Sequence, residues 1–484
     1  MHIYKKFTRD VLLVGISRVL VALRGIILIP VLAKTLGAAD YGLWSQSMVT
    51  IYLLTPLAGL GLSQGMIRFL AVEKNKEKIG EDFYTILSIT LVAAIAVAVA
   101  LYTSSSSLAE LFFSNENATQ ILQISSAILV FWVLDALLLA YFKTFRQMGA
   151  FAFASTGVFM VEILFIAAVT LLGWGLVGAV TILLLSRIIF FLILLAVIYT
   201  QIGFTLPRFI NTKKYLRFSL PFIPSAVFAW VMSAADKYLI GFYMSSADVG
   251  IYSVSYNIGN ILSALMFPLY FVLSPALSKM WDENKIAEIE NHLKYSQKYY
   301  LMIAIPSLFG LTILSKQILR ILTKPEFIPD GQIIIPIIAL SMLIYSSLCS
   351  LHIWIFALIK KTEKTTLLYL FGGIINITAN ILLIPPLGLL GAAIATLISF
   401  TAVGILTLAQ TKNYITYSID NTFIIKTLIA STTMILLITI INPTNVITTT
   451  ISIIMGATTY FTVLIILNAF EEKEKQFFHT VIMK

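Results

Sequence analysis

The chain has 484 residues, of which 59% are hydrophobic and only 12% charged, against about 25% charged in soluble domains. That balance excludes a soluble enzyme or binding module and places the chain in a bilayer. The net charge of +10 does not mark a nucleic-acid binder, because the basic residues are spread along short loops.

Met1 to Arg9 is basic (Lys5, Lys6, Arg9) and runs into an apolar segment from about 11 to 33. A secretory signal has this outline, but the run exceeds a signal's apolar region, carries arginines, lacks a small-residue cleavage site and is followed by many similar segments. It is read as a first membrane helix. Further spans follow at about 43 to 69, 83 to 103, 119 to 142, 150 to 172 and 175 to 199, each long enough for a hydrocarbon core of about 30 Å. A basic linker with Arg208, Lys213, Lys214 and Arg217 leads to a second set at about 219 to 241, 250 to 275, 297 to 315, 332 to 358, 365 to 386 and 389 to 410. Two more, near 424 to 441 and 446 to 469, close the chain. The expectation is an all-α integral membrane protein of about fourteen helices. Residues 1–205 form one six-helix lobe, 206–412 a second, and 413–484 hold two added helices and a cytoplasmic tail.

Two echoes imply that the lobes are a duplication. Ala39-Asp40-Tyr41-Gly42-Leu43-Trp44-Ser45 reappears as Ala247-Asp248-Val249-Gly250-Ile251-Tyr252-Ser253, an offset of 208, and Gly175-Leu176-Val177-Gly178-Ala179 as Gly388-Leu389-Leu390-Gly391-Ala392, an offset of 213. Each match alone is weak, because Asp-x-Gly and small-residue clusters are common turn and packing devices; their shared order and offset give them weight. An even number of helices per half makes the repeat parallel, its axis along the membrane normal, so that two lobes meet at a central cleft and rock about it. Prolines within the spans supply bends or shape packing.

Counted between spans, 23 of the 33 lysines and arginines fall on one side and Lys34, Lys316, Arg320 and Lys324 on the other, the rest lying within spans. The positive-inside rule then places both termini in the cytoplasm of a multi-pass cell-membrane protein. The basic loop Lys316 to Asp330 is the exception, softened by Glu326 and Asp330.

Charges inside spans are expensive and mark function or pairing. Arg18 and Arg24 stand roughly 12 and 21 Å into the first helix at 1.5 Å per residue, and arginine's fixed fork of donors suits phosphate. The competing reading for each is a pair with an acidic neighbour. Glu162 and Arg187 flank the turn at Trp174 at matching depth and are expected to form a structural ion pair. Asp135, with no partner nameable from sequence, is a candidate proton carrier; Asp236 and Lys237 lie near the outer end of the seventh helix, and Lys426 begins its helix and is expected to snorkel. Cys349 sits in an apolar run, admits no internal disulfide and reads as a small core residue. No nucleotide-binding loop, metal-ligand spacing or nucleophile and base pair can be assembled, so no cofactor, metal or catalytic residue is expected. Asn117 to Thr119 matches the short glycosylation pattern on the outer side.

At this point the residues carry a resemblance. Ser17-Arg18-Val19-Leu20, Arg24, Pro30, Leu36-Gly37 and Asp40-Tyr41-Gly42 resemble the first two helices of polysaccharide flippases in the multidrug/oligosaccharidyl-lipid/polysaccharide exporter superfamily. Asp236-Lys237-Tyr238-Leu239-Ile240-Gly241 resembles its seventh helix; Asn376, Asn380, Leu383-Ile384-Pro385, Gly388, Gly391-Ala392-Ala393 and Ala395-Thr396 resemble its eleventh and twelfth. The resemblance covers about 1 to 410. It implies a transporter, not an enzyme, that turns a polyprenyl-diphosphate oligosaccharide from the inner to the outer leaflet, with membrane lipids and other glycan-assembly membrane proteins as partners. Arg18, Arg24 and Lys237 would meet the diphosphate. Gln46, Tyr52, Gln64, Tyr252, Tyr256, Asn257 and Asn260 would line a sugar cavity, or serve interhelical packing. Asp135, Glu162 and Asp236 are candidates for H+ or Na+ coupling. The alternatives are a multidrug cation antiporter on the same scaffold, a lipid II flippase and, from another class, a membrane glycosyltransferase or polymerase. The antiporter calls for acidic groups in the cavity and the enzyme for a large outer loop.

Overall fold

Long apolar runs leave the backbone in a bilayer no hydrogen-bond partner but itself, and the computed structural model is predominantly helical, with no strand among the described residues. It describes residues 24–113, 115, 117–417, 420–472 and 474. In chain order the α-helices are α1 Arg24–Leu36, α2 Ala38–Gly59, α3 Leu62–Phe69, α4 Lys76–Leu108, α5 Ala118–Thr144, α6 Met148–Leu171 and α7 Gly175–Ile202. The linker helix α8 Thr212–Ser219 precedes α9 Phe222–Tyr243, α10 Ser246–Gly259, α11 Ile261–Ala264, α12 Met266–Asp282 and α13 Ile286–Leu322. Then come α14 Ile328–Tyr345, α15 Ile353–Leu358, α16 Glu363–Leu387, α17 Leu389–Thr411, α18 Asn421–Ile441 and α19 Val446–Ile466.

Ten continuous helical stretches are long and apolar enough to cross a membrane. Two bent pairs raise the figure to twelve: Ala38–Gly59 with Leu62–Val72, bent by 49°, and Phe209–Ser219 with Phe222–Tyr243, bent by 43°. The first bend has a local cause, because Leu60 and Gly61 both take left-handed backbone angles (φ 49° and 64°) and end the helix just after Pro56. Of the fourteen spans expected, the first is described only from α1, with Ile27–Leu36 its apolar part. The eighth, expected as one helix over 250–275, is divided into α10, α11 and α12. The described residues thus support ten to twelve spans and do not reach fourteen.

The residues form two compact units. The first comprises Met1–Val254 and Glu363–Ser399. Within it α5 packs against α4, α7 and α2, and α9 runs along α16. Small residues permit close crossings: a Cβ at Gly241 would overlap the Phe112 carbonyl oxygen, and one at Gly65 would stand 2.6 Å from Ser219 Oγ. The second unit comprises Ser255–Thr362 and Phe400–Lys484. There α13 packs on α14 and α18, and α18 on α19, around a core that includes Leu314, Phe423, Met434, Ile438 and Tyr460. The start of α19 is fixed by a reciprocal cap in which Asn445 accepts from the Thr448 backbone N–H and the Thr448 side chain accepts from the Asn445 N–H.

Candidate functional site

The two copies of the repeated turn lie against each other in the first unit. A Cβ at Gly42 would overlap the carbonyl oxygen of Ser246, and a Cβ at Gly250 would overlap that of Ala38. Residues 38 and 246, like 42 and 250, are 208 positions apart, so the contact is reciprocal. One turn further along, the Ser45 hydroxyl donates to the Ser253 hydroxyl at 2.8 Å, again across 208 positions. Glycine is required at both crossing points because backbone meets backbone there, and the closeness brings each serine within reach of its counterpart. A pseudo-two-fold axis therefore passes between α2 and α10.

Further polar bonds join α2 to α9. Gln46 is fully buried and its side-chain amide donates to the carbonyls of Phe112 at 2.9 Å and Lys237 at 3.3 Å. Thr50 and Tyr238 share a hydroxyl hydrogen bond of 2.5 Å, and the Trp230 indole donates to the Val49 carbonyl at 3.0 Å.

Beside this seam lies a buried acidic site. The carboxylate of Asp236 accepts from the Tyr252 hydroxyl at 2.6 Å, from the Thr396 hydroxyl at 3.4 Å and from the Lys237 backbone N–H at 2.8 Å. Ser399 donates to the Thr396 carbonyl at 3.0 Å, Asn376 donates to Ser399 at 3.3 Å, and Asn380 donates to the Asn376 side-chain oxygen at 3.0 Å. All six of these side chains are buried, and the oxygen of the Asn380 amide has no hydrogen-bond partner. Helices α9, α10, α16 and α17 thus bring a carboxylate, three hydroxyls and two amides into one hydrogen-bonded chain inside apolar surroundings, a set of oxygen donors that suits a proton or a small hard cation.

A second buried charge cluster crosses α5, α6 and α7. Arg187 meets Glu162 at 2.5 Å and Asp135 at 3.5 Å, and its guanidinium stacks 3.9 Å over the Trp132 ring. Trp132 meets Tyr52 edge to face at 5.4 Å. The expected pairing of Glu162 with Arg187 is present. Asp135, for which the sequence offered no partner, shares the same arginine.

Of the residues expected to meet a diphosphate, Arg18 lies outside the described residues and Arg24 is described only as the first backbone residue of α1. Lys237 is buried in α9, one residue from the acidic site. Among the residues expected to line a sugar cavity, Gln46 and Tyr252 are taken up by the bonds above, Tyr52 is 44% exposed and Gln64 is exposed on α3. Tyr256, Asn257 and Asn260 fall in the second unit, where Tyr256 is buried and the two asparagines half-buried. Lys426, expected to snorkel at a helix start, donates to the Asn468 carbonyl at 2.8 Å. No group of three or more His, Cys, Asp or Glu side chains suited to a metal occurs among the described residues. Thr396, Ser399 and Trp132 were not singled out as site residues from sequence. The readable signal was the pair Asn376 and Asn380, two amides one helical turn apart in a span, where an amide needs a partner.

Comparison with known proteins adds to this geometry. A family model described as polysaccharide biosynthesis protein matches residues 7–281, and one described as lipid II flippase MurJ matches residues 261–469. Two curated relatives from Haloferax volcanii are similar: a probable low-salt glycan biosynthesis flippase, Agl15, 23% identical over 40% of this chain and 41% of its own, and a probable flippase, AglR, 28% identical over 50% and 52%. The chain spans about half or less of the length of these relatives. Among solved structures, the lipid II flippase MurJ in an inward closed conformation has TM-score 0.78 at 19% identity, over 99% of this chain and 100% of that one. An inward-facing multidrug resistance MATE transporter of the MOP superfamily has TM-score 0.68 at 15% identity, over 82% and 94%. These two likenesses concern the fold.

Proposed function

The chain belongs to the polysaccharide biosynthesis protein family, and from that premise we propose that it turns a polyprenyl-diphosphate-linked oligosaccharide from the cytoplasmic to the outer leaflet by alternating access, without being an enzyme. The observation that carries the mechanism is the reciprocal seam between α2 and α10. The repeats meet there by a backbone crossing only a glycine wide with one hydroxyl pair across it, and parting them also breaks the Gln46, Thr50 and Trp230 bonds between α2 and α9, a cost of a few kcal/mol at about 1 kcal/mol for each neutral hydrogen bond. The names of the two Haloferax relatives support the substrate class.

In this reading Arg18, Arg24 and Lys237 lower the cost of moving a diphosphate through low-dielectric surroundings. Asp236, with Tyr252 and Thr396, takes up the coupling H+ or Na+, and its position one residue from Lys237 links ion and phosphate electrostatically. Glu162 and Asp135 hold Arg187 and brace α5, α6 and α7. Both termini face the cytoplasm of the cell membrane in this reading, which the distribution of basic residues supports. Lobes over 1–205 and 206–412 rock against each other, with 413–484 as an added pair.

The test is leaflet accessibility of a polyprenyl-diphosphate oligosaccharide in vesicles holding the purified protein, beside an Arg24→Ala control. Protein-dependent appearance on the far side, lost in the control, is the expected result. A well-folded Arg24→Ala protein that flips normally would sink the diphosphate assignment, and efflux of cationic dyes instead of lipid movement would favour the antiporter.

A further inference from the structure

The linker between α7 and α9 combines basic charge, used above only to orient the chain, with exposed apolar side chains. Its sequence from Gly203 to Phe222 holds four basic residues and no acidic one. It also exposes large apolar side chains in close succession: Leu206 is 73% exposed, Phe209 56% and Ile210 82%.

The linker is held in a fixed place and is not a loose tether. Helix α8 sits flush on α3, because Gly61 and Gly65 leave room for Ser219, the Ser219 carbonyl oxygen lying 2.6 Å from where a Cβ of Gly61 would be. Tyr215 is buried and its hydroxyl donates to Asp82 at 2.9 Å; Asn211 donates to the same carboxylate at 3.1 Å. Arg208 pairs with Glu81 at 3.1 Å, and the Lys214 ammonium lies 4.5 Å from the centre of the Phe69 ring. Glu81 and Asp82 on α4 are therefore spent on Arg208, Asn211 and Tyr215. Lys213, Lys214 and Arg217 are exposed and make no ion pair among the described residues. Tyr215 and Ser219, one turn apart, face the protein; Lys213 and Arg217, also one turn apart, face away.

An amphipathic segment that turns cations outward beside exposed Phe, Leu and Ile side chains has the design of an interfacial helix, with apolar groups in the acyl boundary and basic groups at the headgroups. Basic clusters in this position favour anionic lipid over zwitterionic lipid. We propose that α8 and the turn before it form a docking surface for anionic phospholipid headgroups, gripped by Lys213, Lys214 and Arg217 and anchored by Phe209 and Ile210. In this proposal the 43° bend between the linker and α9 sets the segment obliquely at the headgroup end of the span.

The test uses the full-length protein carrying Ile210→Cys with a nitroxide label, Cys349 being buried, in nanodiscs of phosphatidylcholine alone or of phosphatidylcholine with phosphatidylglycerol. Collision of the label with oxygen relative to a water-soluble nickel chelate reports its depth. The oxygen-to-nickel ratio is expected to rise severalfold in the phosphatidylglycerol discs, and the rise is expected to vanish in Lys213→Gln/Lys214→Gln/Arg217→Gln. An equal ratio in both lipids overturns the proposal, as does a rise that survives in the triple variant. The three substitutions are on exposed side chains, and the measurement does not depend on transport.

Discussion

The Ser45 hydroxyl donates to the Ser253 hydroxyl at 2.8 Å across the 208 positions that separate the two copies of one turn. Both side chains are buried. The bond ties a residue to its own repeat image, and it marks where the halves separate if the transporter alternates as proposed.

Gly42→Ala and Gly250→Ala each place a methyl group where a backbone carbonyl now stands. Overpacking of this kind costs about 1–3 kcal/mol, here charged to the closed seam alone. Labelling of Ser253→Cys by a water-soluble maleimide should accelerate by about 5- to 150-fold in either variant, and unchanged labelling would show that the seam does not open.

Arg187→Ala strands Glu162 and Asp135 as buried acids without their shared cation. Breaking such a pair costs about 3–5 kcal/mol. The expected outcome is a low folded yield in detergent, measured by size-exclusion chromatography, whereas Arg24→Ala should retain normal yield and lose transport.

Asp236→Asn keeps the size of the side chain and its capacity to accept from Tyr252 and Thr396 while removing the charge. Transport in vesicles should lose its response to an imposed pH or sodium gradient, with basal movement retained in part. A variant that still responds fully would place the coupling ion elsewhere.

Glu474 predicts an acid-sensitive anchor at the end of the chain. Burial works to raise its carboxyl, but the Lys298 ammonium at 2.6 Å, the Glu471 backbone N–H at 2.8 Å and the Tyr299 hydroxyl at 2.9 Å together hold it below the ordinary value. A lowered folded value means that the stabilisation is whole above the unfolded value of about 4.3 and fades as pH falls through the folded one. Glu474→Gln should therefore melt at a lower temperature than the parent at pH 7, and the gap should close in acid; a gap constant with pH would remove the carboxylate from the anchor.

What could be read from sequence followed the strength of the physical signal. Uninterrupted apolar runs such as the one over 175–199 correspond to a helix, α7, with few residues of difference at its ends. The repeat was legible because Gly42 and Gly250 are required by backbone contact, so the turn around each keeps its pattern. The break of the eighth span was legible only in part: Pro268 lacks the N–H that would bond the Ala264 carbonyl at the break between α11 and α12, whereas no proline marks the interruption at Asn260. Depth matching found Glu162 for Arg187 because both lie on adjacent antiparallel helices. It missed Asp135, which reaches the same guanidinium from α5, since sequence spacing carries no information about how a third helix is rotated. Gln46 looked like a cavity-lining group because a polar side chain in a span has two uses, and only the placement of the Phe112 and Lys237 carbonyls assigns it to holding helices together here.

A contact in which residue 42 meets 246 while 250 meets 38 is isologous, the kind made by two identical chains related by a two-fold axis. A half-length ancestor carrying one copy of the turn would have paired with itself through this same crossing, and its fusion into one chain would have required no new surface. It follows that residues 1–205 and 206–484, produced as two separate polypeptides in the same membrane, should find each other again through α2 and α10.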